Sequence, residues 1–401
     1  MSQLFAHRLD AVKPSPSMAA KQRVDALRAA GLQVIDFTIG EPDLATPAHI
    51  VQAGMQAMAT GHTKYTGAAG IPALREAILD KLQRENDLTY SVDQIVVGSG
   101  AKQLIYNALA ATLNEGDEVI IPAPYWVSYP DMVALNGGIP VCVPSAEAQG
   151  FKLTPVALEA AITPRTRWLV LNSPNNPSGA VYSRDELKAL ATVLVRHPQV
   201  WVMTDEIYEH FSYGKVQHVS IAAAEPQLQN RTLIVNGVSK AYAMTGWRIG
   251  YCAGPAALMK AMVLLQSQTI SCATSISQVA AVAALTGPQD CVVEAAHLFE
   301  ARRDRMVAGL NAIEGLRCAL PDGAFYVFPS VAGLLGRRTP AGKELATDLD
   351  VMMYLLDEGG VATIDGTSYG MPSYLRISFA TSMDQIEAGC AAIAQAVSRL
   401  S

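Results

Sequence analysis

The chain has 401 residues, half of them hydrophobic and 16% charged, and its formal net charge is −6. This length exceeds what one hydrophobic core usually accommodates, so the sequence predicts two lobes or domains. The charge is spread along the chain, which argues against nucleic acid as a partner, and no uncharged run reaches the roughly 18 residues of a membrane span. The scattered cysteines and the lack of an apolar signal segment indicate a cytoplasmic protein without a bound metal.

The N-terminal arm, residues 1–18, contains Lys13, Pro14 and Pro16 and is predicted to be extended and non-helical. A helix is expected over residues 19–30. From residue 94 onward, short apolar strands alternate with helices. Strands are predicted over residues 94–97, 118–121, 141–144, 168–172, 200–204 and 232–235. Helices are predicted over residues 102–113, 129–135 and 184–196.

Apolar strands without polar alternation indicate a sheet buried on both faces, as in α/β folds with helical crossovers. A long helical zone follows beyond residue 255, and the C-terminal part then predicts a smaller α+β lobe. Its predicted strands are 325–329 and 374–379, and its predicted helices are 345–358 and 383–400. The predicted domains are 1–45 (arm and part of the small domain), 46–305 (large domain) and 306–401 (small domain).

The run from Gly237 to Gly250 contains a lysine and an arginine that suit aldehyde and phosphate binding. Lys240 follows an apolar strand, and a lysine there can form a Schiff base with an aldehyde. Arg248 can hold the phosphate of such an aldehyde as a bidentate partner. Ser239 is small, which lets a flat ring lie close to the backbone. Taken alone, such a pair is more often a solvated surface lysine and arginine.

Asp205 ends the strand predicted over residues 200–204, at the sheet edge where ligands bind in open α/β folds. Its carboxylate could keep a ring nitrogen protonated, and Tyr208 could reach a ring oxygen from the same turn. The alternative for Asp205 is a helix N-cap. Asn176 precedes Pro177, which keeps it extended, so its amide could donate to a phenolic oxygen, although an ordinary Asn-Pro turn is the alternative.

Gly100, Ala101 and Lys102 lie between a predicted strand and the start of a helix, where backbone amides form a ready phosphate site. A dinucleotide fingerprint would need glycine at position 103, which is Gln103. Trp126 follows the next strand and could stack on a ring or pack in the core.

Arg376 lies among apolar strand residues and must find an anionic partner, which is either a substrate or a structural acid.

Together these elements resemble the class I/II aminotransferases that depend on pyridoxal 5'-phosphate (PLP), in particular their bacterial aspartate aminotransferase branch. Some members of this branch also accept prephenate. The resemblance runs over nearly the whole chain and includes residues 40–43, 65–76, 122–130, 172–179 and 323–326.

The resemblance implies an α/β enzyme of fold type I, whose large domain has a mostly parallel sheet flanked by helices and whose smaller domain is α+β. It implies PLP as cofactor, amino acids and 2-oxo acids as substrates, and a homodimer with its active sites at the interface. Lys240 would hold PLP as a Schiff base and shuttle a proton in a ping-pong reaction between aspartate and 2-oxoglutarate.

The resemblance also assigns roles to individual residues. The implied catalytic residues are Lys240, Asp205 and Tyr208. The implied cofactor-binding residues are Gly100, Ala101, Lys102, Trp126, Asn176, Asp205, Tyr208, Ser239, Lys240, Arg248 and, from the neighbouring subunit, Tyr65. The implied substrate-binding residues are Gly40, Ser15, Lys102, Trp126, Asn176 and Arg376.

The substrate remains open at this point. In the resembled branch, Lys102 and Ser15 are associated with the side-chain carboxylate of aspartate. Asp365, in the loop before Arg376, departs from the family pattern and would weaken binding of an acidic side chain, neutralise a neighbouring base or point to solvent. The alternatives are a related aminotransferase with a prephenate, aromatic or neutral substrate, a PLP carbon–sulfur β-lyase, and a non-catalytic regulator of the same fold.

Overall fold

The fold was obtained as a computed structural model that describes residues 4–12, 16–29, 31 and 33–401. Among these residues, no helix is both long enough and apolar enough to cross a lipid bilayer. The strands are β1 Ile35–Asp36, β2 Ile95–Gly98, β3 Glu118–Ala123, β4 Ile139–Pro144, β5 Thr166–Asn172, β6 Trp201–Asp205, β7 Thr232–Gly237, β8 Gly250–Ala253, β9 Tyr326–Val327, β10 Val361–Ala362, β11 Ile364–Asp365 and β12 Leu375–Ser378.

The helices surround these strands. They are α1 Pro16–Ala29, α2 Ala48–Ala59, α3 Pro72–Asn86, α4 Ala101–Thr112, α5 Ser128–Leu135, α6 Pro155–Ala161, α7 Arg184–Arg196, α8 Ile221–Ala224, α9 Ala256–Thr269, α10 Ser275–Thr286, α11 Asp290–Asn311, α12 Asp348–Gly359 and α13 Met383–Val397. The predicted strands and helices from residue 94 onward are confirmed, with small differences at their ends. Helices α2 and α3 and strand β8 were not predicted.

The prediction of a non-helical arm was wrong where the arm is described. A 3-10 helix spans His7–Ala11, and α1 begins at Pro16, before the predicted start at residue 19. Proline is favourable at the first position of a helix, because the N–H that it lacks would have no partner there. Residues 13–15 lie outside the described part of the chain.

The large sheet has seven strands in the order β2-β8-β7-β6-β5-β3-β4. The strands from β7 to β4 are parallel, whereas β8 is antiparallel to both β2 and β7. Asn172 pairs with Asp205 in the register of β5 and β6, so the carboxyl ends of these two strands lie side by side. Loops that leave this edge therefore converge, as they do at ligand sites of open α/β sheets.

The smaller sheet has the order β11-β12-β9 and is antiparallel. A separate parallel pair joins β1, near the N-terminus, to β10. Helices α12 and α13 pack with these strands around a core that includes Phe37 and Phe325. The chain near residue 36 thus pairs and packs with C-terminal elements. The boundaries at residues 45 and 305 stay predictions.

A buried ion pair ties α3 to the large sheet. Lys81 has no exposed surface and contacts Glu209, whose carboxylate also accepts from Asn86 at 2.7 Å and from Asn236 at 2.6 Å. Burial alone would raise the pKa of Glu209, but the positive charges of Lys81 and His210 hold it below its usual range. The carboxylate therefore stays ionised in the interior.

Within the described residues, two groups bring carboxylate and imidazole atoms within 4.8 Å of one another, namely Glu85, Glu209 and His210, and Glu206, Glu209 and His218. Both groups share Glu209, whose oxygen atoms already accept hydrogen bonds from one ammonium and two amide groups. The carboxylate shared by both groups is therefore already occupied by protein donors.

We expect Lys81→Met to lower the free energy of unfolding by roughly 3–5 kcal/mol, because it leaves the carboxylate of Glu209 buried without its cation. Equilibrium unfolding in urea near neutral pH measures this loss. The matched control is Lys188→Met on an exposed position of α7, for which we expect a change within about 0.5 kcal/mol. Equal unfolding midpoints for the two variants would contradict the structural role of Lys81.

Candidate active site

A cavity of about 600 Å³ lies at the carboxyl edge of the large sheet and is closed on one side by residues of β9 and β12. Most of the residues that the sequence singled out line this one cavity. They are Gly40, Ala101, Lys102, Trp126, Asn176, Asp205, Tyr208, Ser239, Lys240, Arg248 and Arg376. Gly100 adjoins them, because a Cβ atom at this position would lie 2.5 Å from the Arg248 guanidinium.

Lys240 places its amine inside this cavity. Nζ donates to the backbone oxygen of Gly40 at 2.5 Å and lies 5.8 Å from the ring centroid of Tyr208. Desolvation lowers the pKa of Lys240 from its ordinary 10.5 to about 8, and the positive charges of Arg376 and Arg248 act in the same direction. A sizeable fraction of the amine is therefore neutral near physiological pH, as a nucleophile or base requires.

Asp205 is buried at the end of β6, in the same cavity. Tyr129 donates to Oδ2 at 2.7 Å, and the backbone N–H of Ile207 donates to Oδ1 at 3.3 Å. Desolvation nevertheless raises the pKa of Asp205 to about 6, because these two hydrogen bonds only partly replace water. A carboxylate kept in this state is suited to pair with a cationic ligand atom.

The start of α4 and Arg248 form a positively charged corner. Arg248 adopts a left-handed conformation with φ 57°, and Nη1 donates to the backbone oxygen of Thr245 at 2.9 Å. A side chain at Gly250 would overlap the backbone nitrogen of Ala101, so glycine is needed for this close approach. Desolvation and the charge of Arg248 both lower the pKa of Lys102. Backbone amides at a helix start, with two cations beside them, form an anion site.

Arg376 is buried on β12 and, among the described residues, has no acidic partner. Its guanidinium donates to the backbone oxygen of Thr38 at 2.5 Å and to Oδ1 of Asn176 at 3.5 Å, and Nε has no partner in this structure. The structural ion pair considered from the sequence is therefore not formed. A buried arginine without an acid is costly unless a ligand supplies the negative charge. The geometry thus favours an anion-binding role.

Two described residues considered from the sequence, Tyr65 and Asp365, are not brought into the cavity. Tyr65 is 89% exposed and lies outside it, and Ser15 falls outside the described residues. Asp365 is buried, and its carboxylate accepts from the backbone N–H and the hydroxyl of Ser368, both at 2.8 Å. It therefore caps its own loop and points neither to solvent nor into the cavity.

Two tyrosines at the site were missed from the sequence. Tyr129 was placed only at the start of a predicted helix, although its hydroxyl binds Asp205. Tyr326 belongs to a segment that carries the family resemblance, but no role was assigned to it. Its hydroxyl lies 2.9 Å from that of Tyr208. The only sequence signal for either was an aromatic residue near a strand end, which packing alone also explains.

Fold and site together define an α/β protein whose main cavity is lined by a buried amine, a buried carboxylate and two arginines. The family model described as aminotransferase class I and II matches residues 33–393. The chain belongs to this family and is an aminotransferase. Enzymes of this class use PLP, which supplies the reactive chemistry while the protein orients it.

Relatives and solved structures agree with this assignment. A probable aspartate/prephenate aminotransferase of Rhizobium leguminosarum bv. phaseoli is 53% identical over 386 residues, which cover 96% of each chain. The crystal structure of the aspartate aminotransferase from Rhizobium meliloti matches with a TM-score of 0.97 and 51% identity over 99% of each chain. That of the aspartate aminotransferase from Thermus thermophilus with maleate matches with a TM-score of 0.91 and 40% identity, over 98% of this chain and 99% of that one.

We expect Asp205→Asn to stabilise the cofactor-free protein. The folded-state pKa of Asp205 is raised from 3.8 to about 6. The protonated side chain therefore favours the folded state most below about pH 4, and this contribution to the free energy of unfolding is lost as the pH rises through about 6. Above about pH 7 the variant should exceed wild type in free energy of unfolding by roughly 3 kcal/mol.

Urea unfolding of the cofactor-free proteins at several pH values measures this difference. Asp25→Asn, at an exposed position of α1, serves as the control and should follow wild type at every pH. A stability difference between Asp205→Asn and wild type that does not change with pH would contradict the assignment of a raised pKa to Asp205.

Proposed function

We propose that the cavity binds PLP and that the protein transfers the amino group of aspartate to 2-oxoglutarate. The observation that carries this proposal is the Lys240 amine, which has a pKa of about 8 in a cavity it shares with the Asp205 carboxylate. When bound, PLP supplies an aldehyde that condenses with primary amines and a ring that accepts electrons from the substrate. The residues of the cavity fit each part of this molecule.

Asp205 would pair with the ring nitrogen of PLP, because a buried carboxylate favours a protonated partner. Tyr129 keeps this carboxylate oriented through its hydrogen bond of 2.7 Å. Asn176 and Tyr208 would donate to the phenolic oxygen, and Trp126 would cover one face of the ring. All five residues line the cavity.

The phosphate would lie in the positively charged corner. The backbone at Gly100 and Ala101, with the side chains of Lys102, Ser239 and Arg248, would hold it through charge-assisted hydrogen bonds. The glycine requirement at position 100 supports this role, since a side chain there would displace the Arg248 guanidinium.

The substrate would be anchored by Arg376. A guanidinium that is buried without an acidic partner can take the α-carboxylate of an amino acid as a bidentate ligand. Lys240 lines the same cavity as this anchor, so its Nζ would be placed to hold and move the proton of the substrate Cα. A positioned base of this kind typically contributes about 10²–10⁴-fold in rate.

Aspartate is the favoured donor because Lys102, at the border of the phosphate corner, could also contact a second carboxylate. Lys102 Nζ lies 4.6 Å from the ring centroid of Trp126, and Ser15 would assist it. Asp365 does not line the cavity, and its oxygen atoms bind Ser368, so it does not contact an acidic side chain there. Prephenate is the second candidate acceptor, because similar chains are named aspartate/prephenate aminotransferases.

We also propose a cytoplasmic homodimer whose active sites lie at the interface, with Tyr65 reaching the phosphate in the neighbouring subunit. The exposure of Tyr65 at 89%, of Met55 at 60% and of Met58 at 52% supports this assembly, because large exposed apolar side chains often mark interfaces. The same proposal retains the three domain segments 1–45, 46–305 and 306–401.

We expect Lys240→Ala to lose the visible absorbance of the lysine-bound cofactor and to lower kcat by at least about 10²–10⁴-fold. Absorbance spectra and a coupled assay for oxaloacetate measure the two effects. Lys188→Ala, at an exposed position of α7, is the control and should retain both properties. Transamination by Lys240→Ala at the wild-type rate would refute the proposed function.

We expect Lys102→Met to raise KM for aspartate by about 10- to 100-fold and KM for L-alanine by less than about 3-fold, because only aspartate loses a charge-assisted bond. Methionine keeps an unbranched side chain against Trp126. Amino-donor half-reactions with saturating PLP provide the measurement. Equal effects on both donors would contradict the role of Lys102 in binding a second carboxylate. Release of ammonia and pyruvate in the absence of a 2-oxo acid acceptor would indicate a β-lyase instead of an aminotransferase.

A further inference from the structure

Tyr326 contacts two residues of the site and has no exposed surface. It lies on β9 in the small lobe, whereas Tyr208 follows β6 of the large sheet. The roles proposed so far leave Tyr326 without a part in the reaction, and its contacts with Tyr208 and Arg376 determine what part it takes.

The first contact is with the substrate anchor. In the antiparallel register, Tyr326 of β9 pairs with Ser378 of β12, so Arg376 is its diagonal neighbour on the same face. The guanidinium carbon of Arg376 lies 4.7 Å from the ring centroid of Tyr326 and 5.5 Å from that of Tyr369. The guanidinium is thus held by aromatic rings rather than by an acid, which leaves its charge available to a ligand.

The second contact is with Tyr208. The two ring centroids are 5.8 Å apart with planes at 82°, and the two hydroxyl oxygens are 2.9 Å apart. A Cβ atom at Gly40 would come within 3.3 Å of the Tyr326 hydroxyl, so the glycine leaves room for this hydroxyl. Tyr208 has a single proton, and it can donate that proton into the cavity only when Tyr326 donates in the hydrogen bond between them.

We infer that Tyr326 is a positioning residue that fixes the Arg376 guanidinium with its ring and, with its hydroxyl, makes Tyr208 a stronger donor toward the ring oxygen of PLP. This inference rests on the proposed function. The ring of Tyr326 would affect the affinity for a carboxylate. Its hydroxyl would affect the pKa with which the bound cofactor titrates.

Tyr326→Phe removes only the hydroxyl. Tyr208 then loses its donor, so it stabilises negative charge on the ring oxygen less well, and the deprotonated form of the lysine-bound cofactor is disfavoured. We expect the visible absorbance to titrate with a pKa about half a unit to one unit higher than in wild type. Tyr208→Phe is the reference and should shift this pKa further in the same direction.

Tyr326→Leu removes the ring as well. We expect the dissociation constant of maleate, measured from the change in absorbance, to rise by about 3- to 30-fold. In Tyr326→Phe the ring remains, so the dissociation constant of maleate should stay within about 2-fold of the wild-type value. If Tyr326→Leu fails to fold, Tyr326→Phe alone decides, because its ring fills the same space.

The inference is overturned if Tyr326→Phe titrates like wild type, or if it weakens maleate binding as much as Tyr326→Leu does. A failure of the proposed function has a different signature. In that case wild type itself shows no pH-dependent visible absorbance, or Arg376→Lys binds maleate as tightly as wild type, and both proposals fall together.

Discussion

The site depends on two charged groups that are held away from water: Arg376, which has no acidic partner among the described residues, and Asp205, whose nearby cation is the Lys240 amine of the same cavity. Arg376 is buried beside tyrosine rings and a backbone carbonyl, and Asp205 is buried with only two hydrogen-bond donors. Each arrangement costs folding free energy, because desolvation of an ion is only partly offset by neutral partners. A ligand of opposite charge reduces this desolvation penalty when it binds. The unfavourable burial of the charge in the free protein therefore adds to the favourable free energy of binding.

The rest of the fold serves to maintain this arrangement. Parallel register between β5 and β6 sets Asn172 beside Asp205, and the backbone N–H of Asn176 then donates to Asn172 Oδ1 at 2.8 Å. The buried pair of Lys81 and Glu209 holds α3 against the loop that follows Asp205 and Tyr208. Rigid strands and a buried polar network thus position side chains that are themselves unsatisfied.

The sequence allowed much of this to be predicted where local signals were strong. Apolar strand runs located β3, β5, β6 and β7, and the residues at their carboxyl ends gave Asp205 and Lys240. It did not reveal β8, whose glycine and cysteine lack a strand signature, or that α1 starts at Pro16 instead of residue 19. Tyr326 was missed because its contacts come from the pairing of β9 with β12, which lie far apart in sequence.

The charges that line the cavity narrow the choice of ligand. At the edge of the cavity, Arg28 Nη2 lies 3.8 Å from Asp36 Oδ2, so these two charges offset each other. The other charged residues that line the cavity are the cations Lys102, Lys240, Arg248 and Arg376 and the acids Glu41 and Asp205. A phosphate carries a charge of roughly −1.5 to −2 near neutral pH, so it satisfies the corner at Arg248. Arg376 lies outside that corner and has no acidic partner among the described residues, so it favours a ligand with a carboxylate. Asp365 does not line the cavity, and its oxygens bind Ser368, so the choice of a second carboxylate depends on Lys102, the cation that borders the phosphate corner.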